Sequence, residues 1–250
     1  SSFTSSTATV SACLHFADSL LGIVVGKQTM GLTTDGGVSW KVRKPFRSLA
    51  TVRFVDEQNI VGVGVAGANI YSSDQGNTWV DNTPSLPPTP VTLTKVKYQT
   101  QKILWATGVH SGLLQSTDGG MNWHTVGFPS GMEINGMTFP DSIHGWVLDD
   151  SARIFRTTDY GKNWETQITG LNGGLKSICF TDSSFGCSVG TNGTTRATTN
   201  GGTNWDPAIN ATSQTLYDLI FVDRNAGWAV GQSGTIVRAY DSGKSWTVQT

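Results

Sequence analysis

From Leu216 onward the chain reads "LYDLIFVD", "GWAVG", "GTIVRAY" and "SWTVQT", four short apolar-rich runs separated by turn residues. Short β-rich runs at even spacing, punctuated by Gly, Asp and Ser, predict a meander of antiparallel strands. Four strands in about 40 residues is the size of one blade of a radial β-sheet array. The same run pattern recurs upstream. The first strand of a unit ends in Phe-x-Asp at Phe16/Asp18, Phe54/Asp56, Phe139/Asp141, Phe180/Asp182 and Phe221/Asp223, and one unit departs with Tyr98 and Thr100. The second strand places Ile23, Val61, Trp105, Trp146, Cys187 and Trp228 at one equivalent position.

Each unit closes on a polar turn that runs into Trp. The six copies are "TTDGGVSW" (33–40), "SSDQGNTW" (72–79), "STDGGMNW" (116–123), "TTDYGKNW" (157–164), "TTNGGTNW" (198–205) and "AYDSGKSW" (239–246). Their tryptophans, Trp40, Trp79, Trp123, Trp164, Trp205 and Trp246, are spaced by 39, 44, 41, 41 and 41 residues. A fixed period of this length signals a repeat architecture. The expected fold is all-β: a single six-bladed β-propeller domain over 1–250, of four-stranded antiparallel blades near 6–46, 47–84, 92–128, 133–170, 174–210 and 215–250. Almost no helix is expected. The first and last repeats each supply a full set of strands, with "TATVSACLHFAD" as the innermost strand of the first. Six tryptophans follow the turns and three lie in second strands, so all nine are expected to pack between blades.

The turn joins the third strand to the fourth. The carboxylates of Asp35, Asp74, Asp118, Asp159 and Asp241 can accept backbone N–H groups just ahead of them. The Gly two residues on supplies positive φ, and the Ser/Thr hydroxyls bond back to the loop. Asn200 replaces Asp in the fifth copy and Ala239 replaces Ser/Thr in the sixth. Asn still accepts a hydrogen bond, so the role is structural and not dependent on charge.

The pattern Ser/Thr-x-Asp-x-Gly-x-Ser/Thr/Asn-Trp resembles the Asp-box, or bacterial neuraminidase repeat. That repeat is found in sialidases, sortilin-type receptors, some xyloglucan-active glycosidases and photosystem II assembly and stability factors. The units "GWAVGQSGTIVRAYDSGKSW" and "FPDSIHGWVLDDSARIFRTTDYGKNW" look most like the assembly-factor type. The resemblance covers about the whole chain. It implies a β-propeller and, for the assembly-factor type, an Arg-rich surface patch that receives a partner protein. Six repeats differ from the seven blades usual in that family.

Composition narrows the function. The formal net charge is −1 and charged residues make up 14%, unlike the basic character of a nucleic-acid binder. No apolar run approaches the ~18 residues of a membrane span. No signal peptide is visible, and the sequence starts at Ser1 without Met, which fits removal of a leader. Cys13, Cys179 and Cys187 do not make a disulfide framework. Cys179 and Cys187 flank a short turn and either face each other across a hairpin or sit as buried thiols. Asn192 and Asn210 fit the glycosylation acceptor pattern. A secreted or organelle-lumenal setting is the expectation.

Most carboxylates already have a structural use, which limits the scope for catalysis. Of fifteen Asp, five lie in the Asp turns and five in the Phe-x-Asp turns. Asp81, Asp149, Asp150, Asp206 and Asp218 remain, with Glu57, Glu133 and Glu165. Sialidase chemistry requires three Arg, a Tyr–Glu pair and an acid Asp, and only "PFRS" (45–48) resembles part of that set. A paired-carboxylate glycosidase needs two acids about 5–10 Å apart. Asp149 and Asp150 are the candidates, against the reading of an acidic turn partnered by Arg153. His15, His110, His124 and His144 share no metal-ligand spacing. No phosphate-cradling loop is present. No catalytic residue, metal or cofactor is assigned.

The strongest remaining feature is basic. "KVRKPFRSLATVRF" carries Lys41, Arg43, Lys44, Arg47 and Arg53, five of 17 cations. It links the first blade to the second, and such connectors are expected on the face opposite the Asp turns. Arg43, Lys44, Arg47 and Arg53 form either a rim for an acidic peptide, carboxylate or glycan or a solvated loop. The Pro-rich stretch 80–94 is either a binding lip or a surface insertion. The sequence therefore reads as a non-catalytic binding or scaffold propeller that engages a protein partner through the basic rim, within a larger complex. A carbohydrate-binding lectin and a glycoside hydrolase are the alternatives.

Overall fold

A computed structural model describes residues 13–26, 29–44, 47–83, 92–109, 112–129, 133–167, 169–171, 174–207 and 211–249. Residues 1–12 of the expected first strand, Pro45 and Phe46, most of the Pro-rich stretch (84–91), His110 and Asn210 lie outside the described residues. The chain divides into two compact units, Ser1–Val126 and Gly127–Thr250.

The first unit holds three sheets. They are β1 (Cys13–Phe16), β2 (Gly22–Gly26), β3 (Thr29–Thr33) and β4 (Lys41–Arg43); β5 (Leu49–Phe54), β6 (Ile60–Gly64), β7 (Asn69–Ser72) and β8 (Val80–Asp81); β9 (Thr92–Tyr98), β10 (Leu104–Val109), β11 (Gly112–Ser116) and β12 (His124–Thr125). The second unit repeats the plan with β13 (Ile134–Thr138), β14 (Gly145–Asp149), β15 (Ile154–Thr157) and β16 (Glu165–Gln167); β17 (Leu175–Phe180), β18 (Gly186–Gly190), β19 (Thr195–Thr198) and β20 (Asp206–Pro207); β21 (Leu216–Phe221), β22 (Gly227–Gly231), β23 (Ile236–Ala239) and β24 (Thr247–Val248). Every sheet is a four-stranded antiparallel meander in chain order. This is the six-bladed, all-β propeller fold that the repeat predicts. Among the described residues, helical structure is confined to single 3-10 turns such as Thr191–Gly193.

Within each unit one packing rule repeats. The face that carries the second-strand landmark packs on the opposite face of the following sheet. Ile23 and Val25 meet Leu49, Val52 and Phe54, and Val61 and Val63 meet Leu93, Val96 and Leu104. In the second unit, Trp146 and Leu148 meet Leu175, Ile178 and Phe180, and Cys187 and Val189 meet Leu216, Leu219 and Phe221. Burial of these apolar faces stabilises the array at roughly 25 cal/mol per Å². The register explains the spacing of glycine at the end of the second strand. A Cβ on Gly190 would lie 2.0 Å from the Gly174 carbonyl oxygen, so only glycine permits that backbone approach. Cys179 and Cys187 are direct cross-strand partners and both are free thiols. Burial pushes the Cys187 thiol well above its usual range.

The nine tryptophans, expected to pack between sheets, differ in burial. Trp105 and Trp146 are fully buried and Trp123, Trp205 and Trp246 nearly so, whereas Trp40, Trp79, Trp164 and Trp228 are only partly buried, and Arg238 lies over the Trp228 ring, 4.5 Å from its centroid.

Candidate functional site

The repeated carboxylates are consumed by the turns they sit in. In the first Asp turn, Thr33 Oγ1 donates to Asp35 Oδ1 at 2.7 Å and accepts the Gly37 N–H at 2.9 Å. Asp35 also accepts the Ser39 N–H at 2.9 Å and the Ser39 hydroxyl at 2.6 Å. Trp40 Nε1 then donates to the Gly37 carbonyl at 3.0 Å. The set recurs around Asp74, Asp118 and Asp159. Asp241 keeps its Ser245 bonds although Ala239 supplies no hydroxyl. These donors hold the carboxyls of Asp35 and Asp74 down at about 2, with Ser39 and Thr78 hydroxyls as the largest causes.

Two consecutive residues in each turn, not one, have positive φ. The Gly expected there is joined by its predecessor: Gly36, Gln75, Gly119, Tyr160, Gly201 and Ser242. At Gln75 (φ 60°), Tyr160 (65°) and Ser242 (62°) a side chain occupies the left-handed region.

The Phe-x-Asp carboxylates are equally occupied. Asp18, Asp56, Asp141, Asp182 and Asp223 each accept the backbone N–H groups two and three residues on. Thr100, the sequence exception, makes the same pair of bonds through its hydroxyl. Asp149 is fully buried. It accepts the Ser151 and Arg153 N–H groups and the Arg153 guanidinium at 2.7 Å. Asp149 is thus partnered by Arg153, but within the fold and not as part of a solvated turn.

The basic residues do not converge on one rim. Arg43, at the end of β4, donates to the carbonyls of Gly76, at 3.2 Å, and Asn77 in the second Asp turn. With Lys44, Met30 and Trp79 it lines a cleft of about 270 Å³. The Arg43 side chain thus reaches across to the second Asp turn. Arg47 pairs with Asp81 at 2.8 Å on the outer edge of the same sheet, both groups solvent-accessible. Lys44 is exposed. Arg53 lies on the inner strand β5, half-buried, and its Nε is buried without a hydrogen-bond partner among the described residues.

Arg53 belongs to a different group. His15, Arg53 and Lys97 occupy the same position in β1, β5 and β9, one residue before Phe16, Phe54 and Tyr98. His15 Nδ1 accepts the Phe54 N–H at 3.2 Å, and its ring stacks on Phe54 (centroids 6.0 Å apart) and meets Tyr98 edge-on at 6.4 Å. Burial, then Arg53 and Lys97, pull its pKa down to about 4. His15, Phe54, Glu57, Asn59, Tyr98 and Gln101 line a cleft of about 470 Å³. The aligned repeats contain the signal for this group, since the residue before each landmark aromatic is basic or imidazole in the first three repeats only. Among the described residues, no three His, Cys, Asp or Glu side chains gather as a metal site, and no helix is long and apolar enough to cross a membrane.

Repeat, turn and sheet order define an Asp-box β-propeller. Residues 170–248 match the family model described as photosynthesis system II assembly factor YCF48. The fold is similar to that of a solved structure of YCF48 bound to D1 peptide, with a TM-score of 0.76 at 18% identity over 95% of this chain and 79% of that one. YCF48 from Cyanidioschyzon merolae superposes with a TM-score of 0.65 at 13% identity over 94% and 97%. A GH74 xyloglucanase from Xanthomonas campestris gives 0.75 at 12% identity over 96% and 47%. No curated protein matches the chain.

Proposed function

We propose that this protein is a non-catalytic binding propeller that holds an acidic segment of a protein partner, as an assembly factor or scaffold in a secreted or organelle-lumenal setting. The observation that carries the site is the buried, unpartnered Nε of Arg53 beside His15 and its cleft. A buried donor without an acceptor is costly, about 1–3 kcal/mol, and an incoming carboxylate would relieve that cost. Lys44 and the exposed Arg47 extend positive charge along the outer edge of the second sheet, where Arg47 can exchange Asp81 for a partner carboxylate at little cost. The match of residues 170–248 to the YCF48 model, and the similarity in fold to YCF48 bound to D1 peptide, favour a peptide as ligand.

The glycosidase reading is weaker. Both oxygens of Asp149 are engaged by the turn and Arg153, which leaves Asp150 without the opposed carboxylate that hydrolysis requires.

Fluorescence anisotropy with labelled acidic, neutral and basic ten-residue peptides tests the proposal. Binding of the acidic peptide alone, weakening with salt and lost in Arg53→Gln, is the expected result. Glycan binding with no peptide binding, or hydrolysis of xyloglucan or sialosides, overturns it.

A further inference from the structure

Two residues of the second sheet depart from the repeat, and they meet. The residue three after the Phe-x-Asp acceptor is Leu21, Ile103, His144, Phe185 or Ala226 in the other sheets and Asn59 in the second. The cross-strand partner of the second-strand landmark is Leu32, Gln115, Arg156, Ala197 or Arg238 elsewhere and Tyr71 here. The Tyr71 hydroxyl donates to Asn59 Oδ1, and Asn59 Nδ2 donates to Asp56 Oδ2 at 2.7 Å. The hairpin itself does not need this chain of side chains, because its turn is closed by backbone N–H groups in every sheet, including those with Leu, Ile, Phe or Ala at the Asn59 position.

The pair lines a cleft of about 420 Å³, together with Lys102, Asp118 and Met121. Val55, Asp56, Asn59 and Gln101 line both this cleft and the one beside His15, so the two are neighbours across a shared wall. The direction of the hydrogen bonds sets what the second cleft accepts. The Tyr71 proton is spent on Asn59, which leaves the phenol oxygen a lone pair. Against the upward pull of burial, hydrogen bonds from Asn59 and Asn122 hold Asp56 and Asp118 below the usual carboxylate range, so both are ionised near neutral pH. Burial, then these two carboxylates, push the Tyr71 phenol above its ordinary value. Lys102, exposed at the lip, is the one cation in the lining. The cleft therefore combines an excess of negative charge, an aromatic ring and, in Val55 and Met121, apolar surface for an alkyl stem.

We propose that this second cleft takes a Lys or Arg side chain of the segment whose acidic residue lies beside Arg53, so that the partner is read as an acidic and a basic residue a few positions apart. The inference rests on the peptide reading of the first cleft. The ammonium or guanidinium donates to the Tyr71 oxygen and sits near the Asp56 and Asp118 carboxylates, while its stem packs on Val55 and Met121. An extended segment advances about 3.3 Å per residue with alternate side chains on one side, so a spacing of about two to four residues reaches from one cleft into its neighbour.

Fluorescence anisotropy with the full chain tests it. Labelled ten-residue peptides share one acidic residue and carry Ala, Gln, Lys or Glu at a second position, set about two, three or four residues away. At the best spacing the Lys peptide is expected to bind about three- to ten-fold more tightly than the Ala peptide, the Gln peptide no more tightly and the Glu peptide more weakly. Tyr71→Phe keeps the ring and should reduce the Lys gain without changing the affinity of the Ala peptide. Lys102→Glu, at an exposed position, should enlarge that gain. A gain that Gln matches, or one that both variants leave unchanged, overturns the inference, and binding of the Ala peptide that is lost in Arg53→Gln then leaves the first cleft's reading standing. Tyr71-dependent binding of a Lys peptide to which its acidic residue contributes nothing overturns the reading of the first cleft and keeps the second as a basic-residue site. Absence of binding by every peptide overturns both.

Discussion

Trp146 lies flat on Phe180, with ring centroids 3.7 Å apart and planes inclined by 8°. The pair joins the fourth sheet to the fifth and is closed by the Trp205 ring, edge-on to Phe180 at 5.8 Å. Three aromatic landmarks of the repeat thus meet at one point: the second-strand Trp, the Phe of Phe-x-Asp and the Trp of the next Asp turn.

This contact separates buried from unpartnered landmarks. Trp146→Ala should cost about 3–5 kcal/mol by cavity formation. Trp228→Ala, at the equivalent but half-exposed position, should cost about 1 kcal/mol or less. Urea unfolding of the two variants measures the difference, and equal losses would refute the packing rule.

The fifth Asp turn should be improvable. Asn122 and Asn163 each donate a side-chain N–H to the second oxygen of their Asp, at 2.8 and 2.7 Å. Asn200 accepts the Asn204 N–H but offers no second acceptor. Asn200→Asp should add a charge-assisted bond and stabilise the protein by about 0.5–1.5 kcal/mol at neutral pH. A lower Tm in that variant would argue against the turn chemistry.

The left-handed positions give a second route to stability. Gln75→Gly and Ser242→Gly remove a strain of about 1–2 kcal/mol, partly offset by the greater entropy of glycine in the unfolded chain. A net gain of about 0.5–1 kcal/mol in each is expected in chemical denaturation. A loss would mean that the side chain itself is required.

Acid should weaken the array through the Asp turns. The carboxyls of Asp35 and Asp74 fall from their ordinary 3.8 to about 2 on folding. Groups with depressed folded pKa stabilise fully above the unfolded value and lose that contribution as pH falls through the folded one. Tm should therefore drop between pH 4 and 2, less steeply in Asp35→Asn and Asp74→Asn. Equal slopes in all three proteins would exclude these groups as the cause.

The fold was legible because its determinants are local and repeated. An Asp, a Gly and a Trp at fixed offsets specify a hairpin, and the period specifies how hairpins stack. Even the exceptions were interpretable, since Thr100 does with a hydroxyl what Asp does with a carboxylate. The candidate site was only partly legible. Arg43, Lys44, Arg47 and Arg53 look like one cluster along the chain, yet Arg53 acts on His15 while Arg43 caps the neighbouring Asp turn. Charge density in sequence does not record which strand edge a side chain reaches. The grouping of His15, Arg53 and Lys97 depends on repeat register, and needed the landmarks of three repeats to be compared with one another.

The central claim, that an acidic segment docks beside Arg53, is tested most directly by following the His15 imidazole by NMR as pH is varied, with and without a saturating acidic peptide. In the free protein, burial together with Arg53 and Lys97 holds its pKa at about 4. A carboxylate bound beside it favours the imidazolium, so the titration should move upward toward the ordinary 6.5. A bound peptide that leaves the His15 titration at its free value would place the binding site elsewhere and contradict the account.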